Sequence, residues 1–421
     1  MGMVKVIVFS LWLHHAHGLG WFDNYMSGLK IQISTYGLQE FPEKARNGSS
    51  NDSILICPDM SPSAEVPTSV EKVKPADVKV VAALGDSLTT AIAANATNVL
   101  ETPNEYRQLS WSIGGFGNIL DVTTLPNILK LFNPNIVGFG KRKTVSYRPA
   151  PLEDTGLNLA VTGANTFELP EQTQHLIDTM KTYPGVNFEE DWKVVTIFIG
   201  SNDICDYCKN KTLFSADNFI HHLTISLDIL QQQLPRAIIN IVQLLRIEKL
   251  RSVNDESLGC LLQRSFCSCV VVPNENSTEF QEILDQMTQF QEKLEQLFVN
   301  STRFNSKKDF AVILQPFLKN VKPPTDQNGV VDYSYFTPDC FHLTIKGHEQ
   351  MARALWNNML QPQGDKYYMK TLSDPIPLLC PSKDHPYFYT GYQTRDNGAS
   401  PLKGSHHLTV LLLFTALLVY L

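Results

Sequence analysis

Apolar residues along this chain fall into two rhythms. Short runs that are apolar almost without a break occur at residues 78–84, 193–199, 237–245 and 310–314. Such a run fits a strand buried on both faces of a sheet. Residues 158–165 supply a further short strand that closes on a glycine turn at Gly163. Elsewhere the apolar positions fall three and four apart, the spacing of one helix face. Helices are predicted over 125–132, 168–183, 216–233 and 345–359, with another from Thr278 onward. In that one, Thr278 and Gln281 form a capping box, and Phe280, Ile283, Leu284, Met287, Leu294, Leu297 and Phe298 form a core stripe. Strands alternate with helices, and no unit repeats. The predicted fold is α/β: a three-layer sandwich around a mainly parallel, five-stranded sheet.

Both ends break this rhythm. Residues 6–13, VIVFSLWL, follow Lys5 and precede Ala16-His17-Gly18, so residues 1–18 read as a signal peptide. Residues 19–76 show little periodicity and become Pro-rich, which predicts an N-terminal arm packed on a domain spanning 77–363. Residues 364–400 read as a stalk bearing Pro and Tyr. Residues 408–421 are nearly all apolar, with no basic stop-transfer segment. They fall short of the roughly 20 residues that a spanning helix needs. Small residues at 397–400 and a polar spacer precede them, the order of a glycosylphosphatidylinositol (GPI) attachment signal. On that reading residues 401–421 are a propeptide, and Asn397 or Gly398 carries the lipid anchor.

Composition fits the same compartment. Sequons stand at Asn47, Asn51, Asn95, Asn210, Asn276 and Asn300, and the cysteines number 8. An even cysteine count in an oxidising compartment predicts disulfides, whose pairing spacing cannot give. Cys205-x-x-Cys208 lacks a second such pair, so no metal site is expected. A net charge of -7 without long single-sign runs argues against a nucleic-acid partner. The predicted location is the extracellular face of the plasma membrane, with membrane contact through the lipid anchor.

Candidate chemistry gathers at strand ends. Residues 78–91, VKVVAALGDSLTTA, place Ser87 on the turn between a buried strand and a helix. Open α/β sheets carry reactive groups there, beside helix N–H groups that stabilise negative charge. A serine hydroxyl needs an adjacent base. His342 can serve, with Asp339 three residues earlier to orient its ring. The N–H of Ser87, the N–H of Gly163 and the amide of Asn202 are candidate oxyanion donors. His348 is an alternative base inside the last helix; Asp86 and Asp203 read as local hydrogen-bonding carboxylates. The residues alone support a serine ester hydrolase.

The blocks GDSL at Ser87, the Gly163 turn, GSND at 200–203 and DCFH at 339–342 resemble those of the SGNH (GDSL) hydrolases. Longer stretches resemble one catalytic repeat of animal phospholipase B: VPTSVEKVKPADVKVVAALGDSLT, WSIGGFGN, TTLPNILKLFNP, NDICDYC and DCFHLTIKGHEQMARALWNNML. The resemblance implies a flavodoxin-like fold. It also implies a nucleophile at Ser87, a base at His342 and oxyanion partners at Gly163 and Asn202, with neither metal nor cofactor. The implied substrates are phospholipids and lysophospholipids. The large animal enzyme has several repeats and a spanning helix, whereas this chain carries one repeat and a short apolar tail. Two alternatives stand beside it: a carboxylesterase or acyltransferase acting on other esters, and an inactive cell-surface binding protein. The catalytic loops show no basic cluster devoted to a phosphate, so weak head-group selectivity is expected.

Overall fold

Four of the apolar runs become one parallel sheet. The computed structural model describes residues 26–27, 55–254, 257–299, 303–304 and 307–391. Strands β1 (Val78–Gly85), β2 (Trp192–Phe198), β3 (Ala237–Val242) and β4 (Phe310–Gln315) pair side by side in that order. Every neighbouring pair is parallel. All residues of β2, β3 and β4 are buried, so both faces of the sheet are covered.

Six helices matter below: α1 (Ser87–Thr90), α2 (Leu169–Lys181), α3 (Ser201–Asp206), α4 (Ala216–Gln233), α5 (Thr278–Val299) and α6 (Ile345–Met359). α4 packs against both α2 and α5, and the rings of Phe219 and Phe290 stack across the α4–α5 contact at 4.8 Å. α6 packs against β4 and against the short helix Leu125–Leu129, with Trp356 beside Phe132 at 5.4 Å. The α/β architecture is as expected.

The sheet has four strands rather than five. Residues 157–161 do lie along β1, where Leu159 N–H donates to Ala83 O at 3.0 Å and Val161 N–H to Gly85 O at 3.1 Å. Their pairing is a single isolated bridge at Asn158. The outer edge of β1 is divided, since Val137 takes its lower half through Val81 N–H at 3.0 Å. Neither segment is long enough to build a regular ladder. One local expectation also changes. Ser277, not Thr278, caps α5, its hydroxyl accepting from Phe280 N–H at 3.1 Å. The stretch that carries Cys260, Cys267 and Cys269 forms three helical turns, Leu258–Leu261, Gln263–Phe266 and Ser268–Val271.

Disulfides join Cys57 to Cys380, Cys205 to Cys267, Cys208 to Cys269 and Cys260 to Cys340. The first ties both flanks of the domain together. Of the segment read as a stalk, residues 366–391 lie against the body, burying Met369, Leu372, Ile376 and Phe388. Among the described residues, no helix is long and apolar enough to cross a membrane. Of the sequons, Asn210 and Asn276 are exposed and Asn95 is half-buried. The signal peptide, Asn47, Asn51, Asn300, the anchor positions Asn397 and Gly398 and the apolar tail lie outside the described residues.

Candidate active site

β1 ends where only glycine fits. Gly85 has φ +144, and a Cβ there would sit 2.1 Å from Phe198 O on the neighbouring strand. Gln172 of α2 clamps the Gly85 peptide from the side, accepting from its N–H and donating to its carbonyl at 3.0 Å each. Asp86 then caps α1 by accepting from Leu88 N–H at 3.0 Å. This turn delivers Ser87 to the carboxyl end of the sheet as the first residue of α1. Its N–H has no intrahelical acceptor at that position.

His342 reaches Ser87 from the segment between β4 and α6. Its Nε2 lies 3.0 Å from Ser87 Oγ, and its Nδ1 lies 2.7 Å from Asp339 Oδ2. The other oxygen of Asp339 accepts the N–H groups of Phe341 and His342, both at 3.0 Å. Burial works to raise the Asp339 pKa, but the His342 charge and these donors outweigh it and hold it down at about 2. The bend that aligns them runs through Cys340, at φ +56, and Cys260 anchors that residue. Gly259 lets the anchoring turn approach, since a Cβ there would overlap Pro338 O.

His348, the alternative base, sits in the core. Its Nδ1 faces Trp111 N–H at 3.4 Å, and burial, with the His342 charge, pushes its pKa down to about 3. His342, not His348, bonds the serine.

The candidate oxyanion donors lie on neighbouring turns. Gly163, at φ +84, follows the segment beside β1. Asn202, the second residue of α3, donates to Ala164 O at 2.9 Å. Asp203 accepts the N–H and hydroxyl of Thr166, each at 2.9 Å. α3 thus holds the Gly163 turn by two adjacent side chains. Asp203 and Asp86 are both buried, and burial pushes each pKa up to about 7. Their observed partners fit the local roles expected of them.

A buried network beneath these turns was not foreseen. Glu105 accepts from Thr162 at 2.6 Å, from Thr144 at 2.7 Å and from Arg107 at 2.8 Å. Thr162 in turn meets Thr90 at 2.9 Å, and Thr90 donates to Ser87 O at 3.1 Å. Arg107 ties down the carbonyl of Asn158 at 2.8 Å. The ion pair therefore connects the Ser87 turn to the Gly163 turn. Opposite charges two residues apart, Glu105 and Arg107 around Tyr106, were the available signal.

Ser87 and Asn202 open into one cleft of about 680 Å³, its mouth included. Leu245, Ile247, Leu250, Leu318, Val321 and Phe341 make it largely apolar. Arg246, Lys249 and Lys322 also line it. These cations come from two strand exits, after β3 and after β4, and not from the GDSL, GSND or DCFH blocks. Among the described residues, no group of His, Cys, Asp or Glu is arranged to hold a metal ion. Cys205 and Cys208 belong to separate disulfides.

Residues 81–355 match the family described as GDSL-like lipase/acylhydrolase. The chain belongs to this family. Proteins named phospholipase B1, membrane-associated, resemble it: 43% identity over 341 residues in Homo sapiens and 42% over 348 in Mus musculus. The Rattus norvegicus protein of that name is 40% identical over 341 residues. Each match covers 80% of this chain and 23% of the relative, so the chain spans about a quarter of the length of these curated relatives.

Proposed function

We propose that this chain is a serine ester hydrolase that releases fatty acids from phospholipids and lysophospholipids. The carrying observation is the unbroken run Ser87 Oγ, His342, Asp339, with contacts of 3.0 and 2.7 Å, at the base of an apolar cleft. The relatives are named phospholipases, which supports phospholipid as substrate.

In the proposed reaction His342 Nε2 takes the Ser87 proton as Oγ attacks the ester carbonyl. Asp339 stabilises the imidazolium that forms. The N–H groups of Ser87 and Gly163 and the second amide hydrogen of Asn202 receive the oxyanion. Collapse breaks the bond to the glycerol oxygen, and His342 returns its proton to that leaving group. A water molecule, deprotonated by His342, then hydrolyses the acyl-Ser87 ester and restores the serine.

Four disulfides and the sequons support maturation in the secretory pathway. The proposed resting place is the extracellular face of the plasma membrane, held by a GPI anchor at Asn397 or Gly398. Phosphatidylinositol-specific phospholipase C should release the protein from intact cells; retention with residue 421 still present refutes the anchor. For the activity, fatty-acid release is compared between phosphatidylcholine, lysophosphatidylcholine and a short aryl ester. Both lipids should be cleaved. Aryl-ester cleavage alone gives the case to the general esterase, and no cleavage of any substrate gives it to the binding protein.

A further inference from the structure

The cleft carries a sign of charge opposite to that of the chain. The whole molecule has a net charge of -7, yet the charged side chains lining the cleft are three cations and Asp86. Asp86 is buried beside the nucleophile, so it offers little to an entering ligand.

The cations stand on two segments. Arg246 and Lys249 follow β3 and share one carboxylate, Glu248, at 3.0 and 3.6 Å. Arg246 also donates to Thr288 at 2.9 Å, which fixes it to α5. One carboxylate cannot neutralise both, and the longer contact leaves Lys249 the looser partner. Lys322 follows β4, with its backbone fixed by a 2.9 Å bond to Lys370 O. Its side chain is exposed, and its ammonium has no ion pair among the described residues. Between the two segments the walls are apolar: Leu245, Ile247, Leu318 and Val321.

This arrangement sorts the parts of a ligand by chemistry. Apolar walls accept an acyl chain. Ammonium groups present point charge and several donors, suited to an anion with many acceptor oxygens. We propose, resting on the ester-hydrolase reading above, that Lys249 and Lys322 form a phosphate subsite that holds the head-group phosphodiester of a glycerophospholipid while Ser87 meets its ester carbonyl. The subsite selects for the phosphate and is indifferent to the alcohol beyond it. Phospholipids are then preferred over neutral glycerides, and choline and ethanolamine lipids are treated alike.

The full chain is assayed on dihexanoylphosphatidylcholine and dihexanoylglycerol, both kept monomeric so that no lipid surface contributes. A short aryl ester is the third substrate. The readout is the ratio of kcat/KM for the phospholipid to kcat/KM for the glyceride. Lys249→Gln and Lys322→Gln should each lower that ratio up to about fivefold, as expected for exposed charge pairs. The double variant should lower it about tenfold or more, mainly through KM. Lys322→Arg should keep it. Added salt should lower the ratio in the wild-type protein and leave the double variant little changed. Inorganic phosphate distinguishes the sources of the anion. Inhibition at millimolar phosphate that disappears in the double variant supports the lysines as an anion site open to free phosphate as well as lipid. Equal inhibition of both proteins assigns phosphate to other residues and overturns the subsite. An unchanged ratio in a double variant with wild-type circular dichroism and thermal unfolding also overturns it. A wild-type protein that cleaves the aryl ester but neither lipid overturns the phospholipid reading itself.

Discussion

In the proposed reaction the Ser87 proton passes to His342. The serine oxygen and His342 Nε2 are 3.0 Å apart, so transfer needs no rearrangement. We expect Ser87→Ala and His342→Ala to abolish turnover of an aryl ester while circular dichroism stays unchanged. Asp339→Asn should cost about 10⁴ in kcat by presenting the wrong tautomer. Asn202→Ala should cost about 10²–10³ as a lost oxyanion donor. Near-wild-type activity in a folded Ser87→Ala protein would remove the serine from the mechanism. Ser87 and Asn202 were legible because each stands in a short block that ends an apolar run, Asp339 and His342 through the DCFH block. His348 was set aside because it falls inside the last helix; the structure turns its Nδ1 to Trp111 N–H and places His342 Nε2 on the serine. Lys249 and Lys322 were not legible as a pair, because only parallel pairing of β3 with β4 brings their segments to one cleft.

Elements position these side chains, and β1 shows how. Its inner edge pairs with β2 from Val80 to Gly85 without a break, while its outer edge is shared by Val137 and residues 157–161. Arg107, held by Glu105, donates to the carbonyls of Asn158 and Ala160, the polar groups of this segment that face away from β1. Both members of the ion pair are almost fully buried, so removing one strands the other. Glu105→Ala is expected to destabilise the fold by about 3–5 kcal/mol. The Gly163 turn should loosen with it, and kcat should drop. Urea unfolding reads the first effect and steady-state kinetics the second; an unchanged midpoint would show that the network holds nothing. Helices α4 and α6 and the four strands were legible because their periodicity is set by burial, which composition records. The fifth strand was overestimated because an apolar run does not disclose whether its neighbour's edge is already occupied. The disulfide map was hidden for a related reason, as Cys57 and Cys380 meet only after the chain has closed around the sheet.

For the whole molecule, buried carboxylates set the response to pH. Asp86 and Asp203 have an ordinary value of 3.8 and are raised to about 7 by burial. Between those limits the folded protein keeps protons that the unfolded chain releases, so stability falls as pH rises across the window. Asp339 acts in the other direction. Its pKa is lowered to about 2, so its contribution is complete above 3.8 and is lost as pH falls through 2. We expect the melting temperature to be highest near the low end of the first window and to decline toward neutrality. Asp203→Asn should flatten that decline; an unaltered slope would mean that Asp203 does not titrate there. One covalent feature reaches beyond stability. Cys340 stands between Asp339 and His342, and its bond to Cys260 fastens the base-bearing bend. Serine at both positions should therefore lower kcat more than it disturbs circular dichroism. A nascent chain meets the same condition during its synthesis. On the proposed mechanism, a chain not yet oxidised carries Ser87 without a fastened His342 bend, and ester cleavage is expected to begin only once Cys260 and Cys340 have joined.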